Sequence, residues 1–230
     1  MIEQEDRKDD DFRLSCAVSE DLEDAISHGI LVSNLAFRLS EMLGKSRDFC
    51  YEMAVAGMLH DVGKLRLSEY LYGRKQGTLA IEEMKYMRMH PKLGYEILKA
   101  SGDYSQLIIE SVYHHHENYN GSGYPDNLKE EQIPYGARIL RVCDVFAALV
   151  SNRPYRKAFD KDTAIRMMIE EVRHFDMRMF LSFMQMAYDK EFEKTEKFIR
   201  DANHKNVFAF APLSEQELKE LIPGTGTVFA

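Results

Sequence analysis

The chain has 230 residues, 45% of them apolar and 30% charged, with a formal net charge of −8. That length and balance suit one sizeable globular core. The acidic excess speaks against broad binding to a nucleic-acid polymer, and no apolar run approaches the roughly 18 residues of a membrane span.

In chain order, "MIEQEDRKDDDFR" opens an acidic, polar lead over 1–18. It lacks the basic and apolar regions of a signal peptide, and reads as a frayed lead or the end of an upstream domain. In "DLEDAISHGILVSNLAFRLSEMLG", His28, Leu31, Leu35, Leu39 and Met42 share one helical face, with Gly44 as a C-cap. A second helix starts at Ser46 as N-cap and stripes Phe49, Met53, Ala56 and His60. Helical patterns follow over 79–90 (interrupted by Pro91), 90–101, 104–117, 136–152, 161–174 and 177–204. "NVFAF", 206–210, is a short extended candidate before a Gly/Thr-rich end. The expectation is an all-α fold: the lead 1–18, one helical domain over 19–188, and a C-terminal helix and tail over 189–230. Cys16, Cys50 and Cys143 are far apart and form no C-x-x-C pair. They read as small core residues in a reducing cytoplasm.

Six of the eight histidines, His28, His60, His90, His114, His115 and His116, stand out from His174 and His204. Asp61 follows His60, and Asp144 interrupts the most apolar helix. A buried carboxylate without a partner costs several kcal/mol, on the order of a lost ion pair. A metal ion held by imidazoles from several helices would remove that cost. Each residue also has a plainer reading. His28 alone would be a satisfied core histidine, the three adjacent histidines a solvated turn, and Asp144 a group bonded to a backbone end. The conjunction, in order and spacing, favours the metal.

"HDVGKL" (60–65), with His28 before it and His90-Pro91, "HHE" (115–117), "GSGYP" (121–125) and "CDVFAALVSNRPYR" (143–156) after it, resembles the HD-GYP family of HD metal-dependent phosphohydrolases. The likeness runs over about residues 20–185. It implies a helical fold, a centre of two or three metals, and hydrolysis of cyclic di-GMP to pGpG and in some members on to GMP. Iron or manganese is the implied metal, with zinc, nickel or magnesium as alternatives. By position, His28, His60, Asp61 and Asp144 would hold one ion and His90, His115 and His116 the second, with Asp61 bridging. Asp24, one turn before His28, is the candidate for a third ion or else a solvated carboxylate. Lys64 would meet the scissile phosphate or the bridging water, so Asp61 and Lys64 are the implied catalytic pair. Arg153 and Arg156 would take the ligand's phosphates, Tyr124 would stack on a guanine or support the pocket, and Glu117 would orient a ligating histidine. His114 lies outside the pattern and reads as a helix-end residue or outer support. Gly121 and Gly123 would permit unusual φ values, and Pro125 would stiffen the loop's exit. Ala147 stands where the family usually has an aspartate, so one carboxylate is missing.

The implied partner is a cyclic dinucleotide. A protein partner at the GYP loop or the tail, and a homodimer, are further expectations. Two alternatives stay open: a phosphohydrolase acting on another cyclic dinucleotide or nucleotide, and a non-catalytic HD-type sensor or adaptor.

Overall fold

The computed structural model describes residues 24–67, 85–153 and 156–204. Cys16 and the extended candidate 206–210 lie outside them, as does the first half of 79–90. Helix α1 spans 24–42 and α2 Arg47–Leu59, followed by a 3-10 turn at Val62–Leu67. Then come α3 (His90–Ser101), α4 (Gln106–Tyr113), α5 (Tyr135–Val150), α6 (Lys161–Glu170), α7 (Met177–Ala187) and α8 (Glu193–Asn203). No β-strand occurs among the described residues, only one isolated bridge pairing Arg153 with Arg156. No helix there is long and apolar enough to cross a membrane.

Helix ends follow local chemistry. The side chains of Ser46, Ser105, Asp160 and Asp176 accept hydrogen bonds from the amides of Phe49, Ile108, Thr163 and Arg178. These satisfy donors that a helix start leaves free. Gly44 closes α1 with φ +69, the left-handed conformation glycine adopts at no steric cost.

Helix α5 is the axis of the molecule. Ile139, Leu140, Val142, Cys143, Phe146, Ala147 and Val150 are all buried along it, and α2, α4, α6 and α7 pack around it. Ala147, at the position of the missing carboxylate, is fully buried in this apolar core. Leu31, Leu35 and Leu39 of α1 join the core, as the spacing predicts. Met42 does not. It is 37% exposed in the helix's last turn, where the stripe runs past its packing partners.

The pattern over 177–204 reads as one helix but is two, broken at Tyr188–Phe192. The break turns Phe192 into the core against Phe146, with ring centroids 6.0 Å apart. Arg38 of α1 donates to the Glu191 carbonyl and Thr195 Oγ1, and Asn203 donates to the Val150 carbonyl. Residues 189–203 are therefore packed onto the core. Arg138 of α5 and Asp176 at the start of α7 form a buried ion pair at 2.6 Å.

Candidate metal centre

The six sequence-selected histidines end up in two kinds of place. His28 projects from α1, and His60 caps the end of α2. His90 starts α3, and His115 and His116 follow α4 directly. With Asp61 and Asp144 they make three overlapping groups whose ligand atoms lie within 4.8 Å of one another: His28, His60 and Asp144; His90, His115 and His116; and His60, Asp61 and His115.

Asp61 joins the two sides. Its Oδ2 is 3.4 Å from His60 Nε2, and its Oδ1 is 3.2 Å from His90 Nε2. Asp144 Oδ1 sits 3.0 Å from His28 Nε2 and 3.6 Å from His60 Nε2. Lys64, on the 3-10 turn, forms an ion pair with Asp61 at 2.5 Å.

Three of these histidines are oriented the same way. His60 Nδ1 is 2.7 Å from the Gly57 carbonyl, His90 Nδ1 2.7 Å from that of Met87, and His115 Nδ1 2.6 Å from that of Val112. A carbonyl can only accept, so each Nδ1 carries the proton and, in the neutral ring, each Nε2 is a bare lone pair. All three bonds run back three residues to carbonyls at the end of a helical turn, where acceptors are left over.

His90 Nε2 nevertheless lies 3.2 Å from His115 Nε2 and 3.2 Å from His116 Nε2. His60 Nε2 and His28 Nδ1 are buried without a hydrogen-bond partner. Lone pairs facing one another at that distance repel, and a cation among them removes the repulsion. The residues fit a pair of divalent ions.

The electrostatics agree. Burial, reinforced by His116, His60 and His90, holds His115 well below the usual imidazole range, and burial drops His116 to about 3. Burial would also raise Asp61 and Asp144, but His60 and Lys64 on one, and His28 and His60 on the other, hold both well below the carboxylate range. Burial would lower His60, yet Asp61 and Asp144 outweigh it and push it up to about 10. Apart from His60, whose proton a metal would have to displace, the site thus offers neutral imidazoles and ionised carboxylates, the protonation states a metal requires.

These shifts carry a pH signature. Unfolded imidazoles take a proton near pH 6.5 and buried His116 does not until about 3, so acid favours the unfolded chain between those values. His60, raised, contributes with the opposite sign, and its stabilisation is fully present below pH 6.5 and lost above it. From pH 6.5 to 5, chelator-treated protein is expected to lose about 1.5 kcal/mol from His116 alone, or roughly 3–6 °C in melting temperature. A scan flat across that window would contradict the buried neutral imidazoles.

The GYP loop leaves directly from His115 and His116. The Tyr124 ring stacks on His116 with centroids 4.8 Å apart, and the Arg88 guanidinium lies 5.2 Å above the Tyr124 centroid. Gly121 has φ +82, as expected, but Gly123 is needed for a different reason. A Cβ there would collide with the Asn118 amide, Glu117 Cα and the His116 carbonyl. Glu117 does not touch a ligating imidazole. Its Oε1 accepts from the Asp126 amide at 2.7 Å and so pins the loop, while backbone carbonyls orient the histidines instead. His114 caps α4, with its ring between the Glu110 carbonyl and Asp126.

Asp24 is exposed and joins none of the three groups. Arg156 donates to the carbonyls of Leu149, Ala148 and Lys157, closing the end of α5, and Arg153 pairs with it through the backbone. One residue the motifs passed over lies close by. Arg141, one turn before Asp144, donates through Nε to Asn118 Oδ1 of the GYP loop at 2.9 Å. Its spacing of three from Asp144 was the available signal.

The family model described as HD domain matches residues 13–179. A cyclic di-GMP phosphodiesterase of Pseudomonas aeruginosa is 37% identical over 158 residues, covering 69% of this chain and 38% of that protein. A cyclic di-GMP phosphodiesterase response regulator of Xanthomonas campestris is 42% identical over 135 residues, covering 58% and 35%. The chain thus spans little more than a third of these curated relatives. Among solved structures, an HDG"Y"P protein from Bdellovibrio bacteriovorus superposes with a TM-score of 0.59 at 19% identity, covering 72% of this chain and 53% of that one.

Proposed function

The chain belongs to the HD domain family, and to its HD-GYP type, and from that premise we propose that it is a metal-dependent phosphodiesterase that opens cyclic di-GMP to linear pGpG. The observation that carries this reading is the set of bare Nε2 lone pairs and ionised carboxylate oxygens converging around Asp61. In this reading His28, His60, Asp61 and Asp144 hold one ion and His90, His115 and His116 the other. Imidazole with carboxylate suits iron or manganese, the ions we assign. Held by these residues, two such ions would supply charge to neutralise phosphate oxygens and would acidify a water.

The chain's own groups do the rest. Asp61 spans the two imidazole sets and fixes their separation. The Lys64 ammonium, held on Asp61 and part-exposed, faces an arriving anion as a point charge. The Tyr124 ring, braced by His116 and covered by Arg88, offers a face on which a guanine can stack. The pocket's cations act inside a chain of net charge −8, so attraction is confined to the site.

The test is a product assay with manganese- or iron-loaded protein and cyclic di-GMP. Steady formation of pGpG is expected, and its later decay would show whether a second cut yields GMP. Turnover of another cyclic dinucleotide alone would overturn the messenger assignment. No turnover of any cyclic dinucleotide would overturn the reading.

A further inference from the structure

Most arginines in the structure have a visible anchor. Arg138 pairs with Asp176, Arg66 with Glu96 and Arg200 with Glu196, while Arg38 and Arg156 donate to backbone carbonyls. Arg141 differs. It is half-buried, and among the described residues no carboxylate lies within ion-pair distance of it. Its one hydrogen bond among the described residues uses Nε, and none of them offers an acceptor to either terminal amino group. Withdrawing a cation from water without a contacting counter-charge is costly, and Asp144 acts on this one only from beyond ion-pair distance, so the position suits an anion.

The guanidinium is also held from behind. Asn118 Oδ1 accepts from Nε, Asn118 Nδ2 donates to Ser122 Oγ at 3.0 Å, and Ser122 Oγ donates to Asn120 Oδ1 at 2.7 Å. This relay within the GYP loop fixes the plane of the fork. Its charge is felt by Tyr124 and His116, which border the centre, and α5 places it one turn from Asp144.

We propose that Arg141 is a phosphate-binding residue of this centre, presenting its two terminal amino groups to the non-bridging oxygens of the ligand's phosphate while Asn118 holds Nε. The inference rests on the phosphodiesterase reading for its ligand class, and assigns to α5 and the GYP loop a phosphate contact beside any made by the motif residues Arg153 and Arg156. A planar fork suits two phosphate oxygens at once, which a lysine cannot match.

The experiment measures inorganic phosphate binding by equilibrium dialysis on manganese-loaded protein, with metal content assayed beside it. Arg141→Gln is expected to weaken phosphate at least tenfold with metal content unchanged. Arg141→Lys, keeping the charge without the fork, should weaken it roughly threefold to fivefold. Asn118→Ala, which frees Nε without touching the α5 core, should give a loss of similar size to Arg141→Lys. Phosphate binding by Arg141→Gln within twofold of the parent would overturn the proposal, as would no phosphate binding by the parent. Joint loss of metal and phosphate in both Arg141 variants would assign the residue to the scaffold and overturn it too. A parent that binds phosphate through Arg141 but leaves cyclic di-GMP intact would sink the messenger assignment and leave this one standing.

Discussion

Replacing Asp61 with asparagine is expected to lower kcat on cyclic di-GMP by at least about a thousandfold, with little change in melting temperature of the chelator-treated protein. Among the described residues the carboxylate is the one that pairs with both imidazole sets, at 3.4 Å from His60 and 3.2 Å from His90, and it also holds Lys64. An amide of the same shape keeps the packing but removes the charge and turns one acceptor into a donor aimed at a bare Nε2. The separation of the ions and the placement of Lys64 then fail together. Such groups act as a unit, so Lys64→Met on top of Asp61→Asn should cost much less than it does alone. Kinetics on metal-loaded protein check this. Retention of a tenth or more of the parent kcat would mean that Asp61 does not join the two sides.

Gly63→Ala should be the most damaging substitution that adds a single carbon. The 3-10 turn after His60 and Asp61 lies backbone to backbone on the first turn of α3. A Cβ at Gly63 would overlap the His90 carbonyl and the Gly94 amide, neither of which can swing aside as a side chain can. Overpacking costs about 1–3 kcal/mol when side chains can adjust, and backbone collision should reach the top of that range or exceed it. A loss of about 3 kcal/mol, or roughly 6–12 °C in melting temperature, is expected. Because the turn carries Asp61 and α3 carries His90, metal content should fall as well. Gly102→Ala is the control: its φ of +75 strains alanine, but nothing lies within 4 Å, so about 1 kcal/mol and no metal should be lost. Equal effects of the two would contradict the account of the contact.

Much of this was legible because spacing encodes faces. The stripe Leu31, Leu35, Leu39 and the caps at Gly44 and Ser46 follow from helical periodicity and backbone demand. The cluster of imidazoles and carboxylates was legible through its motifs, since such groups are uncommon on apolar helices. What orients the ligands was not. The carbonyls of Gly57, Met87 and Val112 belong to no particular residue type, so no letter marks them, and Glu117 drew the role by being the nearest acid. The break at Tyr188–Phe192 was hidden because both halves keep helical spacing, and only the burial of Phe192 against Phe146 shows why the chain turns. Arg156 read as a phosphate ligand from its motif, while the carbonyls it caps become available only where α5 ends. Arg141 was passed over because nothing in the motif names it, and its missing counter-ion is visible only in three dimensions.

The central claim is that convergent lone pairs around Asp61 make a binuclear metal centre. Metal content per chain, measured on protein purified anaerobically, tests it most directly. Close to two equivalents of iron or manganese are expected in the parent, with one or fewer in His60→Ala and Asp144→Ala. Content near zero in the parent, unchanged after incubation with either metal, would contradict the account.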